Sequence, residues 1–297
     1  METRGIILAG GRGTRLWPLT HVTSKQLLPV YDKPMIYYPL ATLMASQIRK
    51  ILIITTPDDQ IQFKQLLGDG TRFGIELDYQ AQPYPNGIAE ALILGEKFLQ
   101  GSRCALILGD NIFYGTTKLT DLTNMSMKAG GTIFAREVGD PSRYGVVEVD
   151  SHNRVISITE KPTNPKSNLA VTGLYLYDSR ASDLAKSLTP SSRGELEITD
   201  LNSIYLADSD LNMVIFEKES TWLDAGTIES LHDASSFVKT VQERQGIKVA
   251  CLEEIALQNS WLTRTEILKT IKLYPNSTYA HYLASLGSST VNSLESK

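Results

Sequence analysis

Short unbroken apolar blocks set the rhythm of the chain. Residues 6–8, 51–54 and 105–108 are too short for helices and too uniformly apolar for a sheet face open to water. Each predicts a strand buried on both faces. Residues 75–80 alternate and predict another strand. Between the strands, apolar positions fall at helical spacing over 33–46, 58–67 and 87–98. The first of these helices is expected to begin near Pro34, with Tyr38, Leu40 and Leu43 available for packing. Gly68-Asp69-Gly70 ends the second, and Ala89, Leu92, Ile93 and Phe98 share a face of the third.

The rhythm then changes. Strands are predicted over 132–137, 145–149, 155–159, 171–177 and 213–216, with one helix over 196–206. Residues 228–286 read as mainly helical, with a cap near Thr227 and a break at Pro275-Asn276. This pattern predicts an α/β fold: a Rossmann-like, mostly parallel or mixed central sheet flanked by helices, with a helical C-terminal appendage. Residues 1–227 are expected to form the core, and 228–297 a segment for packing and oligomerisation. Residues 287–297 are Ser-rich and read as a frayed end. In open sheets of this kind ligands bind beyond the carboxyl ends of the strands. The glycines after the first strand and Gly109-Asp110-Asn111 should therefore share one edge.

Composition narrows the partners. A hydrophobic content of 42% supports a sizeable core in 297 residues. A net charge of -4 argues against a general nucleic-acid binder, so local basic residues must hold any phosphate. Cys104 and Cys251 make no disulfide framework and match no zinc spacing. The opening Met1-Glu2-Thr3-Arg4 does not read as a signal peptide, and no apolar stretch is long enough to span a membrane, so a cytoplasmic location is expected. His21, His152, His232 and His281 are scattered and form no ligand motif.

The chemistry begins at Leu8-Ala9-Gly10-Gly11-Arg12-Gly13-Thr14-Arg15-Leu16, followed by Ser24-Lys25-Gln26-Leu27-Leu28-Pro29. Gly10, Gly11 and Gly13 let the backbone approach a phosphate and point amides at it, and Arg15 can add a forked contact. The loop lacks the Gly-Lys-Ser/Thr of a P-loop and the glycine spacing of a dinucleotide fold. A polyphosphate-handling enzyme is the reading that fits.

These motifs, with Gln82-Pro83, Gly87-Ile88-Ala89-Glu90-Ala91, Leu108-Gly109-Asp110-Asn111, Tyr144-Gly145-Val146, Glu160-Lys161-Pro162, Arg193-Gly194-Glu195-Leu196-Glu197-Ile198-Thr199-Asp200 and Trp222-Leu223-Asp224-Ala225-Gly226-Thr227, resemble the glucose-1-phosphate thymidylyltransferases, a branch of the sugar nucleotidyltransferases. The resemblance spans about residues 4–285. It implies the conversion of dTTP and glucose 1-phosphate to dTDP-glucose and pyrophosphate, by direct in-line attack on the α-phosphorus. It further implies a homotetramer. Asp110 and Asp224 would hold Mg²⁺, Arg15 the triphosphate and leaving pyrophosphate, and Lys25 the charge at the α-phosphate. Lys161 and Arg193 would grip the sugar phosphate, while Glu160, Tyr144, Gly145 and Val171 line the sugar pocket. Gln82 and Gly87 would read the base, with Leu8, Gly10 and Pro85 around it; Gly11, Gly13, Thr14 and Gln26 complete the substrate-binding set. A nucleotidyltransferase using UTP or another sugar, and a silent nucleotide-sugar-binding protein, stay open as alternatives.

Two stretches depart from the family pattern. Glu217-Lys218-Glu219 replaces a Gly-Arg-Gly, and Thr116 replaces a His, at positions that resemble a secondary nucleotide site. Carboxylates there repel phosphate, and Lys cannot fork as Arg does, so weakened feedback by dTDP-sugars is expected. Residues 256–261 also lack a basic residue that the family carries near its subunit contacts.

Overall fold

A computed structural model describes residues 2–115, 129–273 and 275–286. Its centre is β1 (Thr3–Ala9), which together with β2 (Pro29–Val30), β3 (Lys33–Pro34) and the helix α1 (Tyr37–Ala45) forms the first unit. β1 runs parallel to β4 (Lys50–Thr55), and β4 to β5 (Glu76–Ala81). On its other side it runs parallel to β6 (Arg103–Leu108). Neighbouring residues of each strand point to opposite faces. Ile7 of β1, Ile53 of β4 and Ile107 of β6 enter one core, while Ile6, Leu52 and Leu106 enter another. This is why the apolar blocks are unbroken. Helix α1 and α2 (Gln60–Leu67) lie between these strands in sequence, as do α3 (Glu90–Leu94) and α4 (Glu96–Leu99).

The remainder of the sheet is mixed. A short β7 (Asn111–Tyr114) leaves the end of β6, and β8 (Gly131–Glu137) follows. The antiparallel hairpin of β9 (Gly145–Val149) and β10 (Val155–Glu160) joins β11 (Leu169–Tyr177), which is itself antiparallel to both β6 and β8. After α5 (Ala181–Lys186) and α6 (Ile198–Ala207), β12 (Leu211–Ile215) pairs in parallel with β8 and completes a nine-stranded sheet. The β8–β11 register slips between Val171 and Tyr175. Gly173 lies in that slip, and a Cβ there would come within 2.7 Å of the Asn111 side chain.

A separate two-stranded sheet pairs β7 with β13 (Thr221–Asp224). Behind it, α7 (Ile228–Gln245) starts in a capping box in which Thr227 and Ser230 exchange hydrogen bonds. Leu231, Ala234 and Val238 of α7 pack on Leu16, Val30, Tyr38, Ile112 and Ala225, so this helix buttresses the glycine loop and the end of β13 together. The last helices, α8 (Leu252–Gln258), α9 (Arg264–Leu273) and α10 (Thr278–Ser285), contribute Leu252, Ala256, Ile267 and Leu283 to the core beneath α1. None of the described helices is long and apolar enough to cross a membrane.

Some elements differ from the sequence expectation. The helix expected from Pro34 begins at Tyr37, because Lys33 and Pro34 pair back on Val30 and Pro29 around Tyr31, whose φ is +60°. The Tyr38 hydroxyl clamps this turn by donating to Val30 O at 2.7 Å. The helix expected over 87–98 begins at Glu90 and is interrupted at Gly95, where a Cβ would come within 2.6 Å of Ile6. Three short elements, β7, β13 and α5, carry no periodicity strong enough to announce them. Thr116 and residues 287–297 lie outside the described residues.

Candidate active site

The parallel pairing of β1 with β6 brings the glycine loop and Asp110 to the same sheet edge, as the strand ends predict. Leu8 continues this contact through its carbonyl, which accepts from Gly109 N at 2.9 Å. Beyond it the backbone turns through Gly10, Gly11 and Gly13. Gly13 is left-handed at φ +61°, and a side chain there would meet Thr20 at 2.9 Å and Lys25 at 3.1 Å. Thr20 holds the turn by donating to Gly13 O at 2.9 Å. Thr14 and Arg15 stand exposed on the short turn Thr14–Leu16, anchored by the fully buried Leu16.

Lys25 reaches back across Gly11, lying 3.8 Å from where a Cβ of Gly11 would be, and its ammonium pairs with Asp110 Oδ2. Asn111 Nδ2 donates to the other carboxylate oxygen at 3.0 Å. Burial opposes the charge on Asp110, but Lys25 and Asn111 override it and hold the carboxyl below its ordinary range. Gln26 is buried beside this pair, its Oε1 accepting from Ser24 Oγ at 2.7 Å.

Asp224 arrives through the β7–β13 ladder, in which it sits opposite Asn111. Ala225 N donates to Asp110 O at 3.0 Å and closes the junction. Two carboxylates far apart in sequence thus become neighbours. Burial, and then the Asp110 charge, push the Asp224 carboxyl up, with Lys25 and Arg15 opposing. Gly226 is bare because a Cβ would lie 2.9 Å from both the Arg15 guanidinium and Asp224 Oδ1. Arg143, whose guanidinium is 3.7 Å from Asp224 Oδ2, also belongs to this cluster and was not anticipated.

A cavity of about 400 Å³ extends from Arg15, Asp110 and Asp224 toward the β9–β10 hairpin. Tyr144, Gly145, Glu160, Lys161 and Val171 line its far end. Gly145 and Glu160 are cross-strand partners, and Lys161 N donates to Tyr144 O at 3.0 Å. Glu160 accepts from Thr199 Oγ1 at 2.6 Å and lies 3.4 Å from Lys161 Nζ. Arg193 approaches the same carboxylate at 3.6 Å, but its guanidinium is held chiefly by Glu197, at 2.7 and 3.1 Å. It is therefore near the site and already committed to a carboxylate. Trp222 packs on Tyr144 with ring centroids 5.0 Å apart and donates to Asn111 Oδ1 at 2.6 Å. Asn111 and Trp222 both lie in the recognised motifs, but nothing in their spacing announces this link.

Of the third group of predicted residues, Gln82 lies beside Gly10. Gln82 follows β5 and is buried, with Nε2 donating to Glu90 Oε2 at 2.7 Å. Pro85 is exposed. Gly87 has φ +106°, and a Cβ there would strike Leu196 O at 2.3 Å, so glycine is required by both conformation and space. The four histidines contribute nothing to the cluster around Asp110.

The arrangement offers hard oxygen donors, cations and backbone amides at one end and hydroxyl-matching polar groups at the other. No group of three or more His, Cys, Asp or Glu able to hold a metal occurs among the described residues. Asp110 and Asp224 nevertheless fit a cation that takes its remaining ligands from phosphate and water, because their like charges are adjacent and burial with the Asp110 charge outweighs the cations around Asp224.

Comparison with known proteins follows the same lines. The nucleotidyl transferase family profile matches residues 4–241. The chain is 54% identical to the glucose-1-phosphate thymidylyltransferase of Neisseria gonorrhoeae over 284 residues, which is 95% of this chain and 99% of that one. It is similar in structure to a Bacillus anthracis protein crystallised with a sucrose, with TM-score 0.74, 43% identity, and 79% of this chain and 94% of that one covered. A UDP-glucose pyrophosphorylase complexed with UDP-glucose shares the fold at TM-score 0.70 and 21% identity, over 81% of this chain and 99% of that one.

Proposed function

Because the chain belongs to the nucleotidyl transferase family and makes dTDP-glucose and pyrophosphate from dTTP and glucose 1-phosphate, we propose that the cleft between the glycine loop and the β9–β10 hairpin is where the two substrates meet. The observation that carries this is the convergence of Arg15, Asp110 and Asp224 on one cavity whose other end holds Glu160 and Lys161.

In the reaction an oxygen of the sugar phosphate attacks the α-phosphorus of dTTP. The new P–O bond forms as the bond to the bridging oxygen of pyrophosphate breaks, and the electron pair leaves with pyrophosphate. The attacking oxygen is already anionic near neutral pH, so the site needs alignment and charge neutralisation more than a base. Arg15 and the amides of Gly11 and Gly13 serve the β- and γ-phosphates. Lys25 serves the α-phosphate, exchanging its contact with Asp110 for one with the substrate. Lys161 and Arg193 serve the sugar phosphate, Arg193 only after loosening its pair with Glu197. Glu160, oriented by Thr199, and the Tyr144, Gly145 and Val171 wall receive the glucose ring. Gln82 and Gly87 face the base, flanked by Leu8, Gly10 and Pro85; Thr14 and Gln26 complete the nucleotide side.

Membership of this family implies divalent-metal assistance to nucleotidyl transfer. We assign the metal to Asp110 and Asp224 as Mg²⁺, which when bound neutralises phosphate charge and orients the α-phosphate. The protein works as a cytoplasmic homotetramer in this reading, with residues 228–297 supplying packing surface.

The test is pyrophosphate release from dTTP and glucose 1-phosphate across a Mg²⁺ titration. Asp110→Ala should lower kcat/KM by ~10²–10³, the scale of losing one electrostatic contributor, and weaken the response to Mg²⁺. An undiminished Mg²⁺ response in both Asp110→Ala and Asp224→Ala would remove the metal assignment. UTP and galactose 1-phosphate as comparison substrates measure how strictly the pockets select.

A further inference from the structure

The nucleotide end of the cleft contains a carboxylate that the reaction scheme leaves without a task. Gln82 is only 4% exposed, and its Nε2 donates to Glu90 Oε2 at 2.7 Å and to Gly87 O at 3.3 Å. The second Glu90 oxygen accepts from Asn86 Nδ2 at 2.8 Å. A carboxylate accepts hydrogen bonds and donates none. Both amides must therefore turn their NH₂ groups toward Glu90. The usual ambiguity between amide oxygen and nitrogen is resolved by the chemistry of the partner.

The consequence falls on the opposite side of Gln82. Its Oε1 is directed over Gly10, 2.6 Å from where a Cβ of that residue would lie, and it accepts no hydrogen bond from the described residues. Any larger residue at position 10 would cover this oxygen. We infer that Glu90 is a positioning residue that sets the polarity of base recognition, by locking the Gln82 amide so that an acceptor faces the nucleobase. The inference rests on the proposed placement of the base beside Gln82.

An acceptor at this point matches the ring N–H of thymine or uracil. It opposes the unprotonated ring nitrogen of cytosine, where two acceptors would face each other without a proton. Selection between these bases is thereby decided by a side chain that does not touch the nucleotide. The same lock leaves thymine and uracil equivalent at this atom, so dTTP and dUTP should respond alike to its loss.

Steady-state pyrophosphate release with dTTP, dUTP and dCTP at saturating glucose 1-phosphate tests the lock in the full chain. Glu90→Met keeps the length of the side chain and removes the acceptors. It should raise KM for dTTP and dUTP together by about tenfold and lower the dTTP-to-dCTP ratio of kcat/KM by about tenfold, the scale of one lost hydrogen bond. The kcat with dTTP should change far less than KM. Glu90→Gln retains one acceptor and should recover part of the ratio, whereas Glu90→Lys, a pure donor, should lower it further. Equal losses for dTTP and dCTP in Glu90→Met, with the ratio intact and the fall mainly in kcat, would overturn the inference and leave Glu90 a structural buttress. Should that variant not fold, an unchanged ratio in Glu90→Gln and Glu90→Lys would have the same force. Gln82→Leu separates the premises. A ratio lost there but kept in the Glu90 variants sinks only the lock, and a ratio kept in Gln82→Leu removes the base placement as well.

Discussion

At the scale of single residues, Asp110 and Asp224 show how neighbours divide two identical carboxyls. Burial disfavours charge on both, but Lys25 and Asn111 reverse the balance only at Asp110. A carboxyl raised in the folded state binds protons more readily there than in the unfolded chain. Its contribution to stability is therefore present at low pH and is lost as pH rises from the ordinary carboxylate value through the raised one. Asp110 has the opposite sign: its contribution is present above the ordinary carboxylate range and is lost as pH falls through its depressed value. Asp224→Asn should consequently raise Tm of the metal-free protein at pH 7 by about 2–3 °C, if relieving the like charges is worth ~1 kcal/mol. The same variant should lose most of its pyrophosphate release. A differential scanning measurement in the presence of a chelator checks the first part, and an unchanged or lower Tm would contradict it. The sequence made Asp110 legible through its strand end, but Arg143 and the Trp222–Asn111 hydrogen bond had no local signal. Each depends on a partner distant along the chain.

At the scale of elements, the long, strongly patterned strands were legible because both faces are buried. The short ones were not. β7 and β13 have four residues each, and their pairing is what brings Asp224 to Asp110. Such strands lack a repeat of their own, and long-range pairing decides them. Helix α7 is the reverse case: the cap at Thr227 was readable, and the structure adds that its buried face supports Leu16 and Ala225. Thr227→Ala should cost about 1 kcal/mol, the general scale of an N-cap. Its activity should fall at temperatures where stability has not, because the helix start adjoins Asp224. Urea denaturation compared with activity across temperature checks this, and an activity loss that only tracks unfolding would separate the cap from the site.

At the scale of the whole molecule, the C-terminal helices share the core under α1, and a polar cluster links the end of α7 and the loop after it to the turn before α1. Asp32 pairs with Lys33 and accepts from Lys248 at 2.6 Å and from Gln242 at 3.2 Å. The turn that carries Glu217, Lys218 and Glu219 closes on Arg136, which donates to the Glu217 and Lys218 carbonyls, and on Gly115. Two added carboxylates there should weaken inhibition by dTDP-sugars. Kinetics with dTDP-rhamnose should give an inhibition constant about tenfold or more above that of a family member carrying Gly-Arg-Gly at these positions, one lost charged contact being worth ~1.5–3 kcal/mol; equal constants would refute it. The sequence determined the buried strands, the glycine loop and the identity of the chemical groups, since these follow from local pattern and residue type. The tertiary structure alone decided that Asp224 meets Asp110, that Glu197 occupies Arg193 and that Glu90 faces Gln82. Asp224 reaches Asp110 only because sheet order pairs β13 with β7, while Glu197 and Arg193, four residues apart, and Glu90 and Gln82, eight apart, are joined through irregular backbone, where no periodicity fixes which side chains face each other.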